Sequence, residues 1–273
     1  MTAQFSGGAW MNGELVTWGK ELRQGTRVLK PISASIGCVL LGGVAMQSGT
    51  DLVWWSDGKI FRIDTNAAAV DMAEIEIFGR RGLMVIHHGM QLRFYEKPAD
   101  LQERWQYSEI YSFYTASEQG GLIQRDVDGD GKPDLICGNY WVQSPDQFEL
   151  HWQLFAINLF HDHPVAASAR LAWRKGKLLW LESKRPNARA VWFTPHSNPK
   201  EQWIPEPLGL ALHFPRALLV KDDLVWIGEN NGKQSRLIEW PGGKVIHSGV
   251  PLHTLIATKE GVIGIGPESI LRF

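Results

Sequence analysis

Short apolar runs separated by polar turns recur along the whole chain, and they follow one template: an apolar strand opened by a short polar turn, a tight hairpin, and a returning strand. The first copy is Leu15-Val16-Thr17-Trp18, returning through Thr26-Arg27-Val28-Leu29. The second is Leu52-Val53-Trp54-Trp55, with Ser56-Asp57-Gly58-Lys59 as the turn and Ile60-Phe61-Arg62-Ile63 as the return. Asp-Gly between apolar runs is a strong hairpin signal, because a type I′ turn requires positive φ at both central residues. Further copies anchor on Leu83, Leu135, Leu178, Leu224 and Val262. Their mean spacing of about 41 residues is the length of one four-stranded propeller blade. A further apolar run usually precedes the anchor, as at 36–41, 217–220 and 254–257. Such runs read as inner strands covered on both faces by neighbours, which accounts for continuous apolar stretches in place of alternation.

The pattern predicts an all-β fold: one domain over residues 1–273, a seven-bladed β-propeller, with six blades and an irregular terminus as the alternative. Two irregularities accompany it. The step from Leu52 to Leu83 is short, so that blade is expected to lack a strand. The last copy stops at Phe273 without an outer strand, so the segment around Ala3-Gln4-Phe5 is expected to complete it. A longer echo supports the repeat: Phe94-Tyr95 then Pro98 then Trp105, and Trp192-Phe193 then Pro195 then Trp203. Most of the 13 tryptophans are accordingly assigned to packing between blades.

One stretch carries a specific chemistry: Asp126-Val127-Asp128-Gly129-Asp130-Gly131-Lys132-Pro133-Asp134. A hard cation such as Ca²⁺ takes six to eight oxygen ligands. Asp126, Asp128, Asp130 and Asp134 offer carboxylates at alternating positions, and Lys132 offers its backbone carbonyl. An EF-hand is excluded, because Cys137 stands where the loop would need a glutamate and an apolar strand follows in place of a helix. With Leu135, the apolar run and Gly138-Asn139-Tyr140-Trp141 behind it, the segment resembles the FG-GAP (VCBS) repeat. That family includes the calcium-bearing blades of integrin α-subunit propellers and many bacterial propellers. The match covers about one blade. It implies a propeller, a bound Ca²⁺, and a loop that stiffens its blade without taking part in catalysis.

The segments just before the inner strands carry Glu118, Arg170, Arg216 and His253. If the blades repeat, these residues gather at one channel mouth, and the mixture suits an anionic or sugar-like ligand with arginine as a planar clamp. His161-Asp162-His163 could hold a metal but reads as a surface loop, and His87-His88 reads as an exposed hairpin turn. There is no Gly-x-Ser-x-Gly elbow, phosphate loop or dinucleotide fingerprint.

Composition narrows the partners. The net charge is −1 with no basic block, which argues against nucleic acid. Two cysteines exclude a disulfide framework, and no apolar run is long enough for a membrane span. No signal peptide is visible, so the expected location is cytoplasmic, or extracytoplasmic if a leader was removed. The function expected is a monomeric, calcium-stabilised module that binds a protein or a glycan. The alternative is a carbohydrate-active lyase or hydrolase working at the channel mouth.

Overall fold

Seven antiparallel meanders follow one another in a computed structural model that describes residues 4–88, 91–101, 103–113, 120–157, 168–183 and 185–273. The first is β1 (Phe5–Met11), β2 (Glu14–Gly19), β3 (Leu22–Gln24) and β4 (Arg27–Lys30). The second is β5 (Ile36–Leu40), β6 (Gly43–Ser48), β7 (Asp51–Ser56) and β8 (Lys59–Asp64). The third is β9 (Ala69–Ile77), β10 (Arg80–His87), β11 (Gln91–Glu96) and β12 (Gln106–Ser112). The fourth is β13 (Leu122–Arg125), β14 (Asp134–Cys137), β15 (Tyr140–Gln143) and β16 (Gln153–Ala156). In the fifth, β17 (Ser168–Arg174) and β18 (Lys177–Ser183) precede a short strand β19 (Pro186–Ala188), and β20 (Ala190–Thr194) and β21 (Ile204–Pro207) complete the sheet. β22 (Leu212–His213) pairs with β19. The sixth is β23 (Pro215–Lys221), β24 (Leu224–Glu229), β25 (Arg236–Trp240) and β26 (Lys244–Ser248). The seventh has three strands, β27 (Thr254–Thr258), β28 (Gly261–Ile265) and β29 (Ile270–Arg272).

Tight turns join the first strand of a meander to its second. Asn12-Gly13, Leu41-Gly42, Phe78-Gly79 and Lys175-Gly176 all hold positive φ at both positions, as type I′ requires. Asp57-Gly58 does the same between β7 and β8, where the sequence pattern placed it. The second strands are the most deeply buried: β14 is buried throughout, and β6, β10 and β18 are buried along all but their ends.

The chain resolves into two compact units. One comprises residues 35–168 with 193–205, and its core joins consecutive sheets. Trp54, Leu83, Tyr95 and Trp105 form one cluster there, with the two indoles edge to face at 5.8 Å. Phe94, Leu135, Phe148 and Trp152 form the next. The other unit comprises residues 1–34, 169–192 and 206–273. Leu179, Leu181, Val225 and Ile227 pack together in it, and Ala217, Leu237, Leu252 and Leu255 continue the core.

Three expectations are corrected. Leu52 lies on β7, a third strand, whereas the other anchors lie on second strands; the counterpart of those anchors is on β6. Gly43 opens β6 against the β7 backbone and the Trp54 indole, where a Cβ would lie 2.2 Å from the Trp55 carbonyl oxygen. The run it opens, Val44-Ala45-Met46-Gln47, is less strongly apolar than Leu52-Val53-Trp54-Trp55 on β7, which therefore took the anchor. The short step to Leu83 therefore reflects the misplaced anchor, and the third sheet has all four strands. The segment at Phe5 does not complete the last sheet either. The Asn12-Gly13 turn commits β1 to β2, and Ala3 lies outside the described residues. β1 packs against the last sheet without joining its ladder, with Phe5 N donating to Pro267 O at 2.9 Å and Phe5 packing on Ile263 and Ile265.

The aromatic echo is a real structural repeat. Trp105, Trp152 and Trp203 each stand immediately before a fourth strand and are at most 3 % exposed. Trp105→Ala should lower unfolding stability by about 3–5 kcal/mol, the usual loss for a buried indole. Ile204→Ala, at a position 56 % exposed, should change it by no more than about 0.5 kcal/mol. Urea denaturation of the two variants checks this.

Candidate functional site

Two groups of polar side chains stand at strand ends, one in each compact unit. In the unit containing the fifth to seventh sheets, Arg170 and Arg216 lie near the starts of β17 and β23, and His253 lies just before β27. Arg170 Nε donates to the Arg216 backbone oxygen at 3.2 Å. Burial, then the Arg216 and Arg170 charges, push the His253 imidazole below its ordinary pKa. The buried Nε–H of Arg216 has no hydrogen-bond partner among the described residues, and neither arginine pairs with a carboxylate there. Glu118 lies outside the described residues, as does His161-Asp162-His163.

The acids nearby on the same unit are already engaged. Glu229, 1 % exposed at the end of β24, accepts from Arg236 Nε and from the His213 backbone N–H, both at 2.7 Å. Glu182, 3 % exposed near the end of β18, accepts from the Arg189 backbone at 3.2 Å and faces Arg185 and Arg189 at 3.3 Å. Each acid thus meets an arginine seven positions later across the hairpin. The Glu182–Arg189 and Glu229–Arg236 spacing was visible in the sequence and went unread.

The second group, in the unit containing the second to fourth sheets, centres on Asp64, the last residue of β8 and only 4 % exposed. Its carboxylate accepts from Tyr95 Oη at 2.7 Å, the Thr65 backbone N–H at 2.8 Å, Arg104 Nη2 at 2.9 Å and Arg93 Nη1 at 3.4 Å. Burial works to raise the Asp64 pKa, but the bonds from Tyr95, Thr65 and Arg104 outweigh it and hold the carboxyl below its usual range. Arg93 also donates to His87 Nε2 at 3.2 Å and Gln91 Oε1 at 2.6 Å, and its guanidinium stacks 4.3 Å from the Tyr107 ring centre. The group opens onto a cleft of about 440 Å³.

His87 corrects another expectation. It is 5 % exposed, whereas His88 beside it is exposed: β10 ends at His87, His88 turns away with φ 53°, and the two rings meet edge to face at 4.4 Å. Burial first, and then the Arg93 and His88 charges, lower its pKa to about 4. Because arginine only donates, the His87 Nε2 is an acceptor and the ring proton sits on Nδ1. Asp64 was missed because an aspartate in Ile63-Asp64-Thr65-Asn66 reads as turn chemistry.

No family model matches the chain, and no curated protein sequence does. Solved structures do. The chain is similar to the extracellular domain of the putative one-component system BT4673 from B. thetaiotaomicron, with a TM-score of 0.67 and 10 % identity over 98 % of this chain and 38 % of that one. It is similar to YCF48 from Cyanidioschyzon merolae, at 0.62 and 10 % over 98 % and 94 % of the two chains. It is also similar to BBS1N, crystallised in complex with ARL6DN, at 0.60 and 12 % over 100 % and 95 %. The chain therefore spans well under half the length of the BT4673 structure. The fold is a seven-bladed β-propeller.

In that frame the aspartate loop is an exception in one blade. Residues 126–133 connect β13 to β14, where four other blades use a two-residue glycine turn. Oxygens of Asp126, Asp128 and Asp130 lie within 4.8 Å of one another, a hard-donor set that fits a divalent cation. Asp126 also accepts from the Gly129 and Gly131 backbone N–H groups at 2.7 and 3.0 Å. The Lys132 ammonium lies 2.7 Å from Asp130 and holds that carboxyl below its usual pKa. Asp134 stands apart: it is 1 % exposed and accepts from Val127 N at 3.1 Å and Ser144 N at 2.8 Å, and burial raises its pKa.

His87 gives a pH signature. Its folded pKa, about 4, lies below the ordinary 6.5, so the unfolded chain binds the extra proton first as pH falls. Stability should be fully present above about pH 6.5 and decline toward pH 4, by about 1–3 kcal/mol after allowance for solvent. Melting curves of the parent and of His87→Gln across that window should show the decline shrinking in the variant.

Proposed function

We propose that this propeller is a binding module whose protein or glycan ligand presents an acidic group to Arg170, Arg216 and His253. One observation carries the reading: Arg170, whose Nε is bonded to the Arg216 backbone oxygen, and Arg216 itself meet no carboxylate among the described residues. An incoming oxyanion would meet this unneutralised positive charge with charge-assisted hydrogen bonds. Guanidinium takes a carboxylate in paired hydrogen bonds, so an aspartate or glutamate side chain or an acidic sugar fits equally well. That a propeller of this fold, BBS1N, is found in complex with a protein supports the protein arm of the reading. A hydrolytic reading at the same place would lean on Glu118 as acid or base, and nothing in the described residues favours it.

The test is calorimetric titration with a glutamate-rich peptide and with an oligouronate. Arg216→Ala should weaken whichever binds by at least about tenfold, the loss expected for one charged hydrogen bond, while Arg216→Lys keeps part of the affinity. Unchanged affinity in both Arg170→Ala and Arg216→Ala would overturn the proposal.

The same reading includes Ca²⁺ as a structural ion. Asp126, Asp128 and Asp130 would hold it, with the Lys132 carbonyl and Asp134 as the further donors implied by the resemblance to FG-GAP repeats. The ion would supply charge neutralisation within one hairpin. A ligand that binds only the folded chain at a hundred times its dissociation constant stabilises by about 2.7 kcal/mol. Melting should therefore rise by several degrees on adding calcium to chelator-treated protein, and Asp126→Asn should erase the rise. Identical melts with chelator and with calcium would show that Lys132 alone meets the loop's charge.

A further inference from the structure

The Asp64 cleft has a character different from the arginine cluster, and its parts point to a different ligand. Its charges balance. In the lining, Asp64 opposes Arg93 and Arg104. The balance is completed just outside it by Glu109, which pairs across the strands with Arg93 and accepts from the lining residue Gln91 at 2.7 Å. His87 adds no charge at neutral pH. A cleft with no surplus charge offers an ion little and offers a neutral, hydrogen-bonding molecule a great deal.

The polar groups are also fixed in advance. Asp64 is saturated by four donors, which locks Arg93 and Arg104 in place, and Arg93 is held besides by Gln91 and His87. Arg104 remains 69 % exposed in its side chain, with only Nη2 engaged on Asp64, so the rest of its guanidinium faces the cleft as free donors. His88 Nε2 meets the Asn66 carbonyl at 3.0 Å and so must donate, which leaves Nδ1 as an acceptor. Donors and acceptors alternating around one opening suit hydroxyl groups, each of which both donates and accepts.

Tyr107 supplies the apolar part. It is 42 % exposed and lines the cleft, yet its ring is held by the Arg93 guanidinium and by Tyr95, 5.5 Å away. A braced, exposed tyrosine loses little freedom when something packs on it. The cleft volume of about 440 Å³ falls in the range of small-molecule sites.

From this convergence we propose that the cleft at Asp64 binds a neutral sugar ring, with Tyr107 as the packing surface and Arg104, His88 and Asn66 as partners for its hydroxyl groups. It is a second site, separate in residues and in ligand charge from the one formed by Arg170, Arg216 and His253.

The experiment is saturation-transfer NMR and calorimetry on the full chain with methyl glycosides of glucose, galactose, mannose and fucose, and with glucuronate as the charged counterpart. At least one neutral glycoside should bind, more tightly than glucuronate, with saturation strongest on its ring C–H protons. Tyr107→Leu should weaken it by about tenfold or more, whereas Tyr107→Phe retains most of the affinity. Arg104→Ala should weaken it similarly and lower the melting temperature somewhat, because buried Asp64 loses one of its four donors. Arg104→Lys, which keeps a donor and the charge, should melt closer to the parent. Binding of none of the glycosides, or preference for glucuronate, overturns the proposal. A glycoside lost in Arg216→Ala but kept in Arg104→Ala belongs to the arginine cluster and overturns it too.

Discussion

A second strand buried on both faces is the constraint from which the rest of this molecule follows. β6, β10, β14 and β18 are covered along nearly their whole length, so a polar side chain on them must find every partner inside the protein or stand at an end. The chain obeys this closely. Gln47, His87, Glu182 and Glu229 stand at or next to the ends of their second strands, and each is buried. Their partners come from the neighbouring hairpin or the chain entering the next sheet: Ala67 O for Gln47, Arg93 for His87, Arg189 for Glu182, and Arg236 with His213 for Glu229. The candidate chemistry of the propeller is concentrated where its strands stop.

That geometry explains what could be read from the sequence. Runs of apolar residues followed by glycine turns disclosed the meanders, because a strand covered on both sides has no alternation to confuse the count. The repeat length survived even a misplaced anchor at Leu52, since one strand's error in one blade leaves the mean unchanged. What failed was register within that blade. The true second strand, Gly43-Val44-Ala45-Met46-Gln47-Ser48, is less strongly apolar than the neighbouring Leu52-Val53-Trp54-Trp55, which took the anchor in its place. Arg170, Arg216 and His253 were singled out because blade repetition puts the starts of inner strands in equivalent places, and the structure has them at or next to the starts of β17, β23 and β27. Asp64 escaped because its side-chain partners Arg93, Tyr95 and Arg104 lie 29 to 40 positions away, which no local pattern reveals, and His87 because its burial depends on Arg93 in the next strand.

The aspartates of the fourth blade show one motif doing two jobs. Asp126, Asp128 and Asp130 are partly or fully exposed, and their oxygens converge. Asp134, at the far end of the same motif, is buried and bound to Val127 and Ser144, so it ties the loop's two ends to the hairpin that follows. Mutating it would therefore disturb the blade whether or not an ion is present. Loss of a fold-dependent property in an Asp134 variant says little about calcium, whereas the exposed trio can be neutralised with the scaffold intact.

The whole chain is close to neutral, with a net charge of −1, so any local surplus of charge is a matter of placement and not of composition. Most arginines described here meet a carboxylate: Arg80 on Glu96, Arg81 on Glu74, Arg104 on Asp64, Arg236 on Glu229. Against that background, an unpaired arginine at a strand start is informative, and a cleft whose acids and bases cancel is informative in the opposite sense. The first leaves positive charge without a carboxylate among the described residues, which is what the proposed anionic ligand would meet. The second has already satisfied its charges internally and can gain only through hydrogen bonds and ring contact. Two sites on one scaffold would in this way select ligands by whether their charge balance was left open or closed by the fold.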